Sequence, residues 1–444
     1  MYTPVSTPSG VAVTTGADMT DPDMQAQLAI FRTLVVTVHH FFGGFGCLFQ
    51  GLTDRRDPAR ITYQLQTLMT TGVLMFLLRL GGRRQITHLL RGNNRVAHKY
   101  QEWLLDPSCP HGDTLNYAFI HSEVTEVQTV VTSMTRTLIR SKVLYPHRLF
   151  DKYHLVAVDG TGMLTFAERH CPHCLTATHH GHTRYYHPVL EAKLVTPSGL
   201  AFSLMTEFIE NPGENPTKQD CELKAFYRLM ACLKQRFSHL PICLTLDGLY
   251  AGGPTFSICE AYHWKYLVVL QEADIPYINS EFRSLCPLVP ENHLQFATGV
   301  QGEIKQDFRW VTEIAYVDTK NVEHEVAVLE CRETKPDAHK ALNTTRFKWV
   351  TNLNVQKNGG YALEHRYSED PTASKIFYLL LQIAHLLAQL IERGSLFRRA
   401  FPHGVGSAKN IAYRLLEAWR NLPLSPTALR LMLDTRVQIR FAPP

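Results

Sequence analysis

Several things are scarce in this 444-residue chain, and each scarcity excludes something. There is no low-complexity tract and no internal repeat, which argues against solenoid, fibrous and disordered classes. The first twenty residues are polar and rich in Thr, Ser and Gly, without a basic start or an apolar centre, so no secretory signal is expected. The most apolar stretches, 68–80 and 376–391, are interrupted by Arg79, Gln382, His385 and Gln389, so they are expected to be buried helices, and no membrane partner is expected. The charge excess is small: a net +5 suits a polyanionic partner without demanding one. The ten cysteines are mostly scattered, several within apolar runs, so no disulfide framework is implied and a reducing, cytoplasmic setting is expected.

What is present is an ordinary globular composition, 45% hydrophobic and 19% charged, long enough for two or three domains. Residues 1–22 look like a flexible arm. From 23 to 150 the apolar spacing is helical, broken at Gly43-Gly44 and Gly81-Gly82, which predicts a helical N-terminal domain. Its arginines cluster as Arg55, Arg56 and Arg60 and as Arg83, Arg84, Arg91 and Arg95, so Arg83 and Arg84 are candidate phosphate contacts.

Between 154 and 270 the pattern changes. Three strand-like runs come first, at 155–159, 185–196 and 200–209. An amphipathic helix over 218–237 follows, then strand, helix and strand at 242–246, 256–263 and 266–270. That order predicts an α/β core with a mixed sheet. A β-rich stretch, about 275–350, looks like an insertion; 374–393 is a long apolar helix, and 401–444 a basic tail.

Two motifs carry the chemistry. Val156-Ala157-Val158-Asp159-Gly160 and Leu244-Thr245-Leu246-Asp247-Gly248 each put an aspartate directly after a buried strand and before a glycine. One Asp-Gly pair is an ordinary turn. Two of them at strand ends, with sheet elements between in the right order, are what a two-metal phosphoryl-transfer site requires, because converging carboxylates hold paired Mg²⁺ ions. A second constellation is His170-Cys171-Pro172-His173-Cys174 with His179, His180 and His182 nearby. Cys171, Cys174, His179 and His182 offer thiolate and imidazole at tetrahedral zinc spacing, a structural Zn²⁺ site that would stiffen the loop beside Asp159; the alternative is a His-rich hairpin that binds nothing. Lys218 precedes a helix, where it faces phosphate or a cap.

Taken together, Asp159-Gly160-Thr161-Gly162, Leu190-Glu191-Ala192-Lys193-Leu194-Val195, Lys218-Gln219-Asp220-Cys221-Glu222 and Leu246-Asp247-Gly248-Leu249-Tyr250-Ala251 resemble the run of motifs in bacterial insertion-sequence DDE transposases. So do Gln356-Lys357-Asn358-Gly359-Gly360-Tyr361-Ala362-Leu363-Glu364-His365 and the stretch 377–385. The resemblance spans about 150–400. It implies an RNase H-like core, Mg²⁺-dependent cleavage and strand transfer with Asp159 and Asp247 as metal-binding acids, double-stranded DNA (element ends and target) as partner, a homodimer in the DNA complex, and Lys357 as a DNA contact.

One departure matters. The family carries its third acid on a helix of Arg-Trp-x-Ile-Glu-Asn pattern ahead of Gln-Lys-Asn, and here the run 347–353 passes straight into Asn354-Val355-Gln356-Lys357-Asn358. A deletion near residue 353 would have removed that acid. Glu364 is then the candidate substitute, and Glu369 the next. Two other readings stay open: an inactive DNA-binding remnant, and an RNase H-like nuclease without strand transfer.

Overall fold

The helical spacing of the first third of the chain becomes real helices in the computed structural model, which describes residues 22–213, 216–271, 273–298, 304–335, 342–344, 367–368, 370–404, 406–423, 425–434 and 437–441. The longer ones, with two short helices between them at Phe45–Leu48 and Asn94–Lys99, are α1 (Pro22–Phe42), α2 (Leu65–Leu77), α3 (Arg83–Leu89), α4 (Gly112–Ile120) and α5 (Val124–Arg140). Nearly every side chain of α2 is buried. A helix apolar on all sides belongs inside a protein, and Gly72 shows how closely it is enclosed: a Cβ there would stand 2.6 Å from Leu380 and 3.0 Å from Phe119.

Six strands form the large sheet: β1 (His154–Phe166), β2 (Leu175–His179), β3 (His182–Val195), β4 (Ala201–Phe208), β5 (Ile242–Leu246) and β6 (Lys265–Val268). Strand β3 lies antiparallel to β1, and its other edge is shared by β2 and β4. From β1 the sheet continues in parallel through β5 to β6, with α6 (Glu222–Arg236) leading from β4 to β5 and α7 (Gly253–Tyr262) from β5 to β6. Parallel neighbours need such crossovers. The fold is therefore a mixed helix-and-sheet architecture, as the alternation of runs predicts.

A second, antiparallel sheet follows α8 (Pro276–Leu285), with β7 (His293–Thr298), β8 (Ile304–Val317), β9 (Glu323–Lys335) and β10 (Leu342–Thr344) in the order β10-β9-β8-β7. It has a small apolar cluster of its own, with Ile278, Phe282, Val311, Ile314 and Val326 around Phe256 of α7. The β-rich segment thus docks on the core through one helix.

The chain closes with α9 (Pro371–Arg393), α10 (Ala408–Asn421) and α11 (Pro426–Asp434). Asp370 caps α9 by accepting from Ala373 N at 2.8 Å, and Pro371 occupies the first turn, where its missing N–H costs nothing. Helix α9 and the segment Pro22–Leu48 are long and apolar enough to cross a membrane; 94% of the apolar window in α9 is buried inside the protein. There Gln389 brackets Ala201 of β4, accepting from its N–H at 2.7 Å and donating to its carbonyl at 2.8 Å.

One apolar core runs from Ile30 to Ile439. The helical region 23–150, expected as a domain, shares that core with the sheet: Thr132 and Thr135 of α5 donate to the carbonyls of Leu204 (3.1 Å) and Ser203 (2.7 Å). The basic tail 401–444 contributes α10 and α11, and Trp419 packs against Phe31 and Trp103 with ring centroids 5.7 and 5.4 Å apart.

Candidate functional site

The two aspartates belong to the parallel strand pair β1 and β5. His154 lies beside Ile242 and Ala157 beside Thr245, where the pairing ends; Asp159 stands two residues further along β1 and Asp247 just past β5, and the charges of both act on Tyr250. Neighbouring strands are about 4.8 Å apart, and residues in register on parallel strands point to the same face. Asp247 keeps extended backbone and begins the short turn Gly248–Tyr250, its Oδ1 accepting from Leu249 N at 3.0 Å. Asp159 is half-buried and Asp247 exposed, so the pair opens to solvent.

A third carboxylate joins them. Glu222, in the first turn of α6, lies against the backbone of Gly160; a Cβ at that glycine would stand 2.6 Å from Glu222 Cδ. Buried Tyr250 donates its hydroxyl to Glu222 Oε1 at 2.5 Å. Burial, that hydrogen bond, and the charges of Glu222, Asp247 and Asp159 hold the Tyr250 phenol far above its ordinary pKa. One hydroxyl thus senses all three acids. Three carboxylates around a donor that stays protonated offer the oxygen ligands that hard divalent cations take, although their oxygens do not all lie within 4.8 Å of one another.

Glu222 lies within a quoted motif, yet sequence reasoning assigned it no role. Its signal was a Glu at a helix start, which serves a helix dipole just as well. Glu364, Glu369 and Lys357 lie outside the described residues.

The segment that delivers Glu222 is braced on both sides. Gln219 Oε1 accepts from Thr176 N at 2.6 Å and its Nε2 donates to Thr176 O at 3.0 Å, tying the segment to β2. Asp220 N donates to Asn211 Oδ1 at 3.0 Å, and Asn211 Nδ2 donates to Cys174 O at 2.8 Å. Asp220 also receives Arg228 of α6 at 2.8 Å, an arrangement in which the arginine offsets the cost of burying the carboxyl and holds it below the usual range.

At the other end of that brace is the cysteine knuckle. Cys171 and Cys174 converge on His187 of β3, with Sγ–Sγ 3.6 Å and each Sγ 3.2 Å from His187 Nε2. This Cys₂His arrangement could hold a metal ion. It takes His187 in place of the expected histidines: His179 and His182 face each other across the first pair of the β2–β3 hairpin, and His182 is exposed. The physical reason is the hairpin itself, which carries its tip away from the knuckle and folds β3 back so that His187 returns opposite Leu164. Burial lowers the His187 pKa, favouring neutral imidazole, and burial pushes the Cys171 thiol up to about 11.

Of the basic candidates, Lys218 and Arg84 are exposed, and Arg83 stands 3.5 Å from Asp113. Several neighbouring arginines are engaged within the fold: Arg55 with Glu126 (3.0 Å), Arg56 with Asp54 (2.5 Å) and Arg95 with the Asn421 carbonyl (2.5 Å).

No family model matches the sequence, and no curated protein matches it. Among solved structures the chain is similar to a piggyBac transposase in a synaptic complex with hairpin DNA, at 11% identity over 93% of this chain and 82% of that one, with a TM-score of 0.34. At that score the likeness decides neither fold nor function.

Proposed function

We propose that the chain is a DDE-type transposase with an RNase H-like core, cutting and joining DNA at Asp159 within β1 and Asp247 just past β5. The observation that carries the reading is that these aspartates belong to neighbouring parallel strands and that their charges, with that of Glu222 packed against Gly160, act on one hydroxyl, that of Tyr250. The order of the main sheet supports it: an antiparallel trio, β4-β3-β1, continued in parallel through β5 and β6. Bound at these acids, a pair of Mg²⁺ ions supplies an activated attacking oxygen and charge stabilisation on the leaving oxygen.

The residues do the rest. Asp159 and Asp247, carried by neighbouring parallel strands, would hold the metals between them. Glu222 is the third carboxylate among the described residues, and Tyr250 fixes its rotamer by donating to one oxygen while the other points at Gly160. Double-stranded DNA is the substrate, approaching the solvent-open side of Asp247, with Lys218 and Arg84 as exposed cations for its phosphates. The ten free thiols accord with a cytoplasmic setting.

The test is a gel assay of the full chain with Mg²⁺ or Mn²⁺ and duplexes carrying the ends of the flanking element. Cleavage with joining is the expected result. Cleavage without joining makes the protein a nuclease of the same chemistry, and binding without cleavage overturns the enzymatic reading in favour of a DNA-binding remnant.

A further inference from the structure

We propose that Cys171, Cys174 and His187 bind a structural Zn²⁺, with Glu210 orienting His187 from behind. This site is separate from the acid cluster, and its fate does not depend on the transposase reading.

Geometry carries the proposal. Around a tetrahedral zinc with Zn–S near 2.3 Å and Zn–N near 2.0 Å, two sulfurs stand about 3.8 Å apart and a sulfur and a nitrogen about 3.6 Å. The three edges here are 3.6, 3.2 and 3.2 Å. Hydrogen bonding does not explain such a triangle, because His187 Nε2 can satisfy one thiol and two converge on it. A cation that deprotonates both sulfurs satisfies all three atoms together. Cys174 and His187 are buried and Cys171 is half-buried, so such an ion would be shielded from bulk water.

The surroundings match a metal-ligating imidazole. Such a histidine commonly offers its second ring nitrogen to a carboxylate. His187 Nδ1 lies 3.9 Å from Glu210 Oε1, and Glu210 is itself held at 2.5 Å by Lys375 of α9. His170 and His173 flank the knuckle, the first tilted against Phe166 with ring centroids 4.6 Å apart and the second with Nδ1 2.9 Å from the Asn211 carbonyl, and neither brings a nitrogen within 4.8 Å of all three ligand atoms. Zinc would therefore fasten the β1–β2 loop and β3 to one another, and through Glu210 to α9. The Cys174 carbonyl, Asn211 and Asp220 N carry that restraint onward to the start of α6.

Metal analysis of the full chain, grown with zinc and purified without chelator, tests this directly. The expected result is about one zinc per chain. Replacing it with Co²⁺ should give the intense visible bands of a tetrahedral site and a near-ultraviolet thiolate charge-transfer band. Cys174→Ser and His187→Ala should lose the ion, His182→Ala should keep it, and Glu210→Gln should keep it with affinity weakened about 10- to 100-fold.

If the cysteine variants fail to fold, chelation of the wild-type protein replaces them. Hydrogen exchange should then quicken in 171–187 and 209–222 and recover when zinc is returned. A chain that folds with substoichiometric zinc, or that holds Cys171 and Cys174 as a disulfide by thiol count, overturns the proposal. Zinc retained by His187→Ala but lost in His182→Ala overturns the ligand set.

Discussion

Asp159 and Asp247 belong to a parallel strand pair whose members come from segments far apart in the chain, while Cys171 and Cys174 meet His187 across antiparallel neighbours that are almost consecutive. The acid end depends on a crossover through α6, because parallel strands cannot be joined by a tight turn. The knuckle depends only on a hairpin closing. The first is exposed at Asp247 and offers oxygens; the second is buried and lined by sulfur and imidazole. Under the two proposals, one sheet would hold a hard cation at a wet site and a borderline-soft one at a dry site, environments that suit exchange at the first and permanence at the second.

The sharpest way to break the contrast is at the acids. Asp159→Asn and Asp247→Asn should each lower metal-dependent DNA cleavage by roughly 1,000-fold, about 4 kcal/mol of transition-state stabilisation. Zinc content should not change. Cleavage rates that survive either change would remove the acid pair from the chemistry.

Glu222 comes next. Glu222→Gln should reduce cleavage about 100-fold, and Gly160→Ala should do the same indirectly, because its Cβ would collide with the Glu222 carboxylate. Full activity in Glu222→Gln, with loss in Glu364→Gln, would transfer the third-acid role to Glu364. Thermal melts of Gly160→Ala should show a destabilisation of only about 1–3 kcal/mol, which separates displacement of Glu222 from unfolding.

A smaller effect belongs to the start of β1. Burial, with Arg148 nearby, lowers the His154 pKa to about 4. The folded state therefore binds this proton less readily than the unfolded chain, whose histidine titrates near 6.5. Stability from this group is present above pH 6.5 and is lost as pH falls from 6.5 through 4, by about 3 kcal/mol. Denaturant melts across that range should show the loss in wild type and a reduced loss in His154→Leu. An identical pH slope in the two proteins would remove His154 as the cause.

The smallest effect is expected from the exposed cations. Lys218→Ala and Arg84→Ala should each flatten the salt dependence of DNA binding by about one unit of slope, weakening affinity uniformly across sequences. A base-specific change would point to groove contact instead.

The two regions also differ in how far they could be read beforehand. Asp159 and Asp247 stood out as candidates because each follows a buried apolar run and precedes a glycine, a local pattern, but the strand expected to end at Asp159 continues to Phe166. The β-rich segment after 275 was legible for the same reason, in the alternation of its strands. The histidine of the knuckle was not legible, since His179 and His182 are closer in sequence and chemically equal to His187. Glu222 was visible only as a helix-start residue.

Sequence alone determined which side chains are available and where strands and helices begin, because those follow from local periodicity and turn chemistry. Tertiary structure decided the company they keep. The parallel β1–β5 pairing put the strands of Asp159 and Asp247 side by side, the β2–β3 hairpin returned His187 to the cysteines, and α6 brought Glu222 to Gly160. It also joined the expected N-terminal helices to the sheet in a single core, since the nearly all-apolar surface of α2 is covered from several sides by other parts of the chain.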